Sequence, residues 1–163
     1  MIMQAVMDEI SKCLGQEVEL YRQLLDVVGE EREILLHGDH QRLMGTSERK
    51  MAVCLELTAV QESRRELMQK ISPDSDKPLK LSDLAKFLPS TQQSGFRALV
   101  AKLSHMTTRL ASLNQANKSF IEEALDTVEG LLQAITGGGG MLYGNKGMRQ
   151  NRQHLPRLVT REV

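Results

Sequence analysis

From residue 91 to residue 135 the chain repeats the period of one helix face without a slip. Phe96, Leu99, Leu103, Met106, Leu110, Leu113, Asn117, Phe120 and Ala124 follow one another at steps of three and four. A second row, Val100, Thr107, Asn114, Ile121, Val128 and Ile135, advances beside it by strict sevens. One continuous α-helix puts both rows on a single side. Forty-five residues at 1.5 Å each make a rod of about 68 Å. Such a rod carries a coiled-coil-like seam and packs lengthwise against other rods, which constrains the chain to an all-α bundle.

Two further rods are legible upstream. Over about residues 2 to 36, Ile10, Leu14, Val18, Tyr21, Leu25, Val28 and Leu35 recur at helical spacing. Gly38 then stops the helix and Asp39 offers an N-cap for the next. The second rod, residues 39 to 71, has Val53, Leu57, Val60, Arg64, Leu67 and Ile71 at steps of four and three. Gly45 is its weak point, at about 1 kcal/mol against Ala. "SPDSDKP", residues 72 to 78, reads as a linker. A short helix follows, with Ser82 as cap, Asp83 in the first turn and Pro89 closing it.

The expected architecture is therefore an antiparallel bundle of three long helices plus a short connecting helix over residues 1–136. A Gly-rich, basic, flexible tail occupies residues 137–163. The first two helices form a hairpin and the third packs along it. Being the longest, the third is expected to outrun its partners, leaving the C-terminal part of its apolar seam without a cover inside the monomer.

Nine Met, no Trp and five aromatic residues point to helices packed by Leu, Val, Ile and Met. Lys and Arg total 21, as do Asp and Glu, so net charge selects no partner. Its distribution is more informative. From Gly144 onward five basic residues (Lys146, Arg149, Arg152, Arg157, Arg161) stand against one acidic, Glu162, a local +4 that the preceding residues balance. An acidic body with a basic tail suggests an interaction segment on a folded scaffold. Every apolar run falls far short of the ~20 residues of a membrane span. The start, "MIMQAVMDEISK", lacks the basic and apolar regions of a signal peptide. Cys13 and Cys54 fall roughly 13 Å apart if the hairpin turns at Gly38, too far for a disulfide. They read as small buried thiols of a reducing cytoplasm.

No catalytic constellation emerges, and the expectation is a protein without enzymatic activity, cofactor or metal. Gly139 and Gly144 have the separation of a phosphate-binding loop, but Asn145 follows, Lys146 comes one place late, and a helix rather than a strand precedes. His37 and His40 flank Asp39 in "HGDH", where the helix junction itself accounts for Gly38 and Asp39. Glu33 and His37, four apart, suit a surface pair.

Two features remain. Asn114 and Asn117, in "LNQANKSFIEEAL", interrupt the apolar rows of the long helix. Either they set register inside the bundle, as a single buried Asn can, or they hydrogen-bond a partner helix laid on the seam. In the tail, "GGGGMLYGNKG" exposes Met141, Leu142 and Tyr143 among glycines and polar residues. It reads as a disordered end, as a weak nucleic-acid grip, or as a short motif that orders on a protein surface with Tyr143 as anchor.

The pair "LNQANKSFIEEAL" and "MLYGNKG" resembles the FlgN family of flagellar type III export chaperones. That family's pattern has Asn-x-x-Asn in the last long helix, a Leu-Leu-rich continuation, then Tyr-Gly-x-x-Gly in a tail. Asn114, Asn117, Tyr143, Gly144 and Gly147 match it, and Leu43, Lys50 and Arg64 or Arg65 fall in familiar places in the hairpin. The four-glycine run and the extension "RQNRQHLPRLVTREV" depart from it.

The resemblance implies a cytoplasmic chaperone for the hook–filament junction proteins FlgK and FlgL. It would bind their amphipathic C-terminal segments, prevent premature assembly, and deliver them to the export-gate protein FlhA. On that reading Leu110, Leu113, Asn114, Asn117, Phe120, Ile121 and Leu125 would receive the client, with Met141 and Leu142 helping. Tyr143, Gly144 and Gly147 would dock the gate. Neither nucleic acid nor membrane insertion is expected, and self-association at most to a weak homodimer. The alternative is a structural coiled-coil adaptor that self-associates through the same seam.

Overall fold

The computed structural model describes residues 2–72 and 79–136. Its elements are α1 (Ile2–His37), α2 (His40–Ile71), α3 (Leu81–Leu84) with a 3-10 turn at Ala85–Phe87, and α4 (Ser90–Ile135). These are the three long rods and the short connector that the periodicity predicts.

The hairpin between α1 and α2 is tight because Gly38 takes φ 73°, a left-handed conformation that costs glycine nothing. The Asp39 amide then reaches back to the Ile34 carbonyl at 3.3 Å, the six-to-one bond of a Schellman stop. Asp39 stands at the N-cap position of α2, but its side chain makes no capping bond.

The expected cap at Ser82 is a correction. Lys80 is the N-cap residue and Ser82 lies inside the turn. The phase is set instead by burial of Leu81, Leu84, Ala85 and Leu88 under the bundle, which outweighs one hydroxyl cap. Pro89 both follows the 3-10 turn and opens α4, its carbonyl accepting from the Gln92 amide at 2.9 Å.

Cross-helix bonds fix the directions. Between α1 and α2, Glu17 meets Arg64, Tyr21 meets Gln61 and Glu31 meets Lys50, so one number falls as the other rises and the pair is antiparallel. Between α1 and α4, Gln4 meets Gln92 and Glu31 meets Asn117, a nearly constant offset, so these two run parallel. No Cα atom of α2 comes within 8 Å of one of α4 among the described residues. α1 is therefore the central rod, flanked by the other two.

That position explains its wide buried face. Met7, Ile10, Leu14, Glu17, Tyr21, Leu24, Val28, Glu31 and Leu35 alternate steps of three and four, and all nine are buried. Cys13, Leu20, Val27 and Ile34 form a second buried row at strict sevens. Val18 and Leu25, expected in the main row, are only partly buried at its edge. The cysteines are both buried and free, and burial pushes both thiols up, away from the reactive thiolate.

Candidate partner-binding surface

The site begins where α1 ends. Taking the α1–α4 pairs Gln4–Gln92, Val28–Asn117, Glu31–Asn117 and Arg32–Ala116, His37 lies level with about residue 124 of α4. Roughly eleven further residues of α4 project past the hairpin, a span of about 17 Å. The seam does not change character there. Ile121, Leu125, Val128, Leu131, Leu132 and Ile135 continue it, with exposure rising from 38% at Ile121 to 80% at Ile135. Six large apolar side chains in one helical strip are far from the scattered single exposures of an ordinary surface. The flanks are acidic: Glu122, Glu123, Asp126 and Glu129 face no Lys or Arg between residues 119 and 136.

A polar layer closes the covered part of the seam. The Asn117 amide nitrogen donates to the Val28 carbonyl at 3.1 Å and to the Glu31 carboxylate at 2.9 Å. Lys50 donates to the same carboxylate at 3.1 Å, so one buried glutamate ties α2, α1 and α4 together. The Asn117 Oδ1 is buried without a partner, a desolvation cost set against the two bonds its amide nitrogen makes. One turn further out, Arg32 stands 5.4 Å over the Phe120 ring and donates to the Ala116 carbonyl at 3.3 Å. Beyond that strap the seam is open.

The residues expected to receive a client therefore divide. Ile121 and Leu125 lie on the open strip, while Leu113, Asn114 and Phe120 are half-buried at its inner margin. Leu110 and Asn117 are each covered by the protein's own helices, at 4% and 3% exposure, because α1 still runs alongside at that level. Asn117 is bonded inside the bundle, to the Val28 carbonyl and the Glu31 carboxylate of α1. Asn114 lines a shallow apolar groove between α2 and α4, whose floor is Tyr21, Leu24 and Val28 and whose wall includes Lys50. Met141, Leu142, Tyr143, Gly144 and Gly147 lie outside the described residues.

Sequence reasoning missed three things. Val128, Leu131, Leu132 and Ile135 carry the greatest exposure of the strip; the expected overhang covers this stretch, but the residues expected to receive the client stop at Leu125. Glu17 and Glu31 are buried members of the α1 row, detectable because the three–four alternation runs straight through them. Arg64 answers Glu17 in a buried ion pair at 2.5 Å. Finally, α2 has a second apolar row, Met44, Met51 and Leu55, more than 65% exposed on the side turned from α1. A search for one face per helix passes over it.

Among the described residues no cluster of His, Cys, Asp or Glu could hold a metal ion, and no helix is long and apolar enough to cross a membrane. His37 pairs with Glu33 at 3.8 Å on the surface. The arrangement is an amphipathic, acid-flanked half-seam whose shape and polarity suit another apolar segment. No curated protein and no solved structure matches the chain. A family model described as FlgN protein matches residues 1–151, and the chain belongs to the FlgN family of flagellar export chaperones.

Proposed function

We propose that this protein is a cytoplasmic chaperone that holds the amphipathic C-terminal segments of the hook–filament junction proteins FlgK and FlgL on the open strip of α4. It keeps them from assembling early and delivers them to the export gate, where Tyr143 docks on FlhA. The carrying observation is the apolar seam that continues past the end of α1 with nothing of the bundle against it. A client helix laid there completes the packing that α1 supplies further down, in helix-in-groove fashion. Covering about 600 Å² of apolar surface gains roughly 15 kcal/mol at about 25 cal/mol/Å². Ordering the client and losing its translational freedom return much of that, leaving a complex tight enough to guard and loose enough to release.

The division of labour is tested by Tyr143→Ala. It is expected to weaken gate binding at least tenfold, about 1.4 kcal/mol, without weakening client binding. Equal loss of both would remove the two-site scheme. Sedimentation separates this reading from self-association: a monomer that becomes a one-to-one complex with a junction protein supports the chaperone. A stable dimer indifferent to clients would turn the strip into a dimer seam.

A further inference from the structure

The open strip is also within reach of the chain's own continuation. α4 ends at Ile135, the outermost residue of the apolar strip, and its capping residue is Thr136. Four glycines, 137 to 140, follow at once. They carry no side chains and turn in either hand, which suits a reversal of direction. Met141 and Leu142 are five and six residues beyond Thr136, a reach of up to about 20 Å. Leu132, Leu131 and Val128 lie only about 6–12 Å back along the helix.

Charge agrees with reach. Residues 119–136 contain Glu122, Glu123, Asp126 and Glu129 and no basic residue, a local −4. Among the described residues only Glu122 of these has an ion-pair partner, Lys118 at 3.9 Å. Residues 144–163 carry the compensating +4. An apolar pair followed by spaced cations thus meets an apolar strip flanked by carboxylates, at the high effective concentration of a short tether.

We propose that in the client-free protein Met141 and Leu142, rather than helping to hold the client, lie back on the Val128–Leu131–Leu132–Ile135 strip, with the following basic residues over its acidic flanks, and that a client displaces them. This deepens the chaperone reading and rests on it for the displacement step. Its consequence is a strip shielded from casual association while no client is bound. A strip covered in about four-fifths of free molecules raises the apparent client Kd about fivefold.

The chain contains no tryptophan, so Leu142→Trp in the full chain provides a single reporter. Without client its emission is expected blue-shifted and independent of protein concentration. It should move to the water-exposed position when Val128→Asp and Leu132→Asp are added, with helicity unchanged. Emission that is water-exposed from the start, that blue-shifts only on concentration (a second copy's tail), or that responds to Met51→Asp and Leu55→Asp instead, overturns the inference. In the otherwise native chain, Met141→Ser with Leu142→Ser should tighten binding of a junction-protein C-terminal peptide about fivefold; unchanged or weaker binding overturns the displacement. A peptide that binds while leaving the docked reporter in place refutes the client site and not the docking.

Discussion

Leu110 and Leu132 belong to one apolar seam on one helix, and truncating each to Ala should produce opposite phenotypes. Leu110 is 4% exposed and packed into the core, so Leu110→Ala removes buried methyl groups and leaves a cavity. Such changes cost about 2–5 kcal/mol of folding stability. Leu132 is 56% exposed and touches little. Fully burying a leucine is worth about 1.5–3 kcal/mol, so covering its remaining surface with a client gains about 0.8–1.7 kcal/mol, a factor of roughly four to eighteen in Kd. Urea unfolding followed by circular dichroism measures the first effect, and titration calorimetry with a junction-protein C-terminal peptide the second. Leu110→Ala should lower the midpoint sharply and bind the peptide normally wherever it is folded. In a chain already carrying Met141→Ser and Leu142→Ser, so that loss of tail docking does not offset loss of client contact, Leu132→Ala should leave folding stability within about 0.5 kcal/mol and weaken the peptide by the stated factor. If Leu132→Ala unfolds the protein as readily, or binds the peptide undiminished, the open strip is not a binding surface and the argument from helix overhang fails.

Three other outcomes follow from the geometry. Glu17→Ala should cost about 3–5 kcal/mol by stranding Arg64, whereas Glu17→Leu combined with Arg64→Met should restore most of it, both read from thermal unfolding. Gly45→Ala should stabilise by up to about 1 kcal/mol, since its backbone is helical and an added Cβ meets nothing within 4 Å; a lower urea midpoint would contradict this. Acid should destabilise: the Arg22 hydrogen bond holds Glu19 at about 2, and the Arg49 hydrogen bond lowers Glu30. Both carboxylates take up protons on unfolding, so their contribution is intact above the ordinary carboxylate range and fades as pH falls from about 4.5 towards 2. Glu19→Gln with Glu30→Gln should flatten that part of the stability profile, and added salt should shrink it because both pairs are exposed.

The corrections share one cause. Val18 and Leu25 fit a helical row as well as Glu17 and Leu24 do, and hydropathy prefers the valine to the glutamate. What buries Glu17 is Arg64, 47 residues away on α2, which turns a costly charge into a satisfied one. Ser82 was a reasonable cap by chemistry, yet the phase of a single turn follows the four side chains it buries. In α2, cations and carboxylates look interspersed in sequence. In the fold Arg42, Arg49, Lys50 and Arg64 reach α1 carboxylates, and Met44, Met51 and Leu55 are left outward.

Sequence alone determined the rods. Periodicity, Gly38, the proline-bearing linker and the unbroken run to Ile135 each follow from backbone geometry and local hydrophobic spacing, which are properties of neighbouring residues. It also determined that the longest rod would outrun the others, because that is a difference of lengths. Which stretch of the seam is covered was decided only by the tertiary structure. Leu110, Asn117, Leu125 and Leu132 are equivalent in spacing, and only the offset between α1 and α4 separates core from open surface. That offset is set by long-range contacts, the Asn117–Glu31–Lys50 layer and the Arg32 strap, whose partners lie far apart in the chain and meet only once the helices have packed.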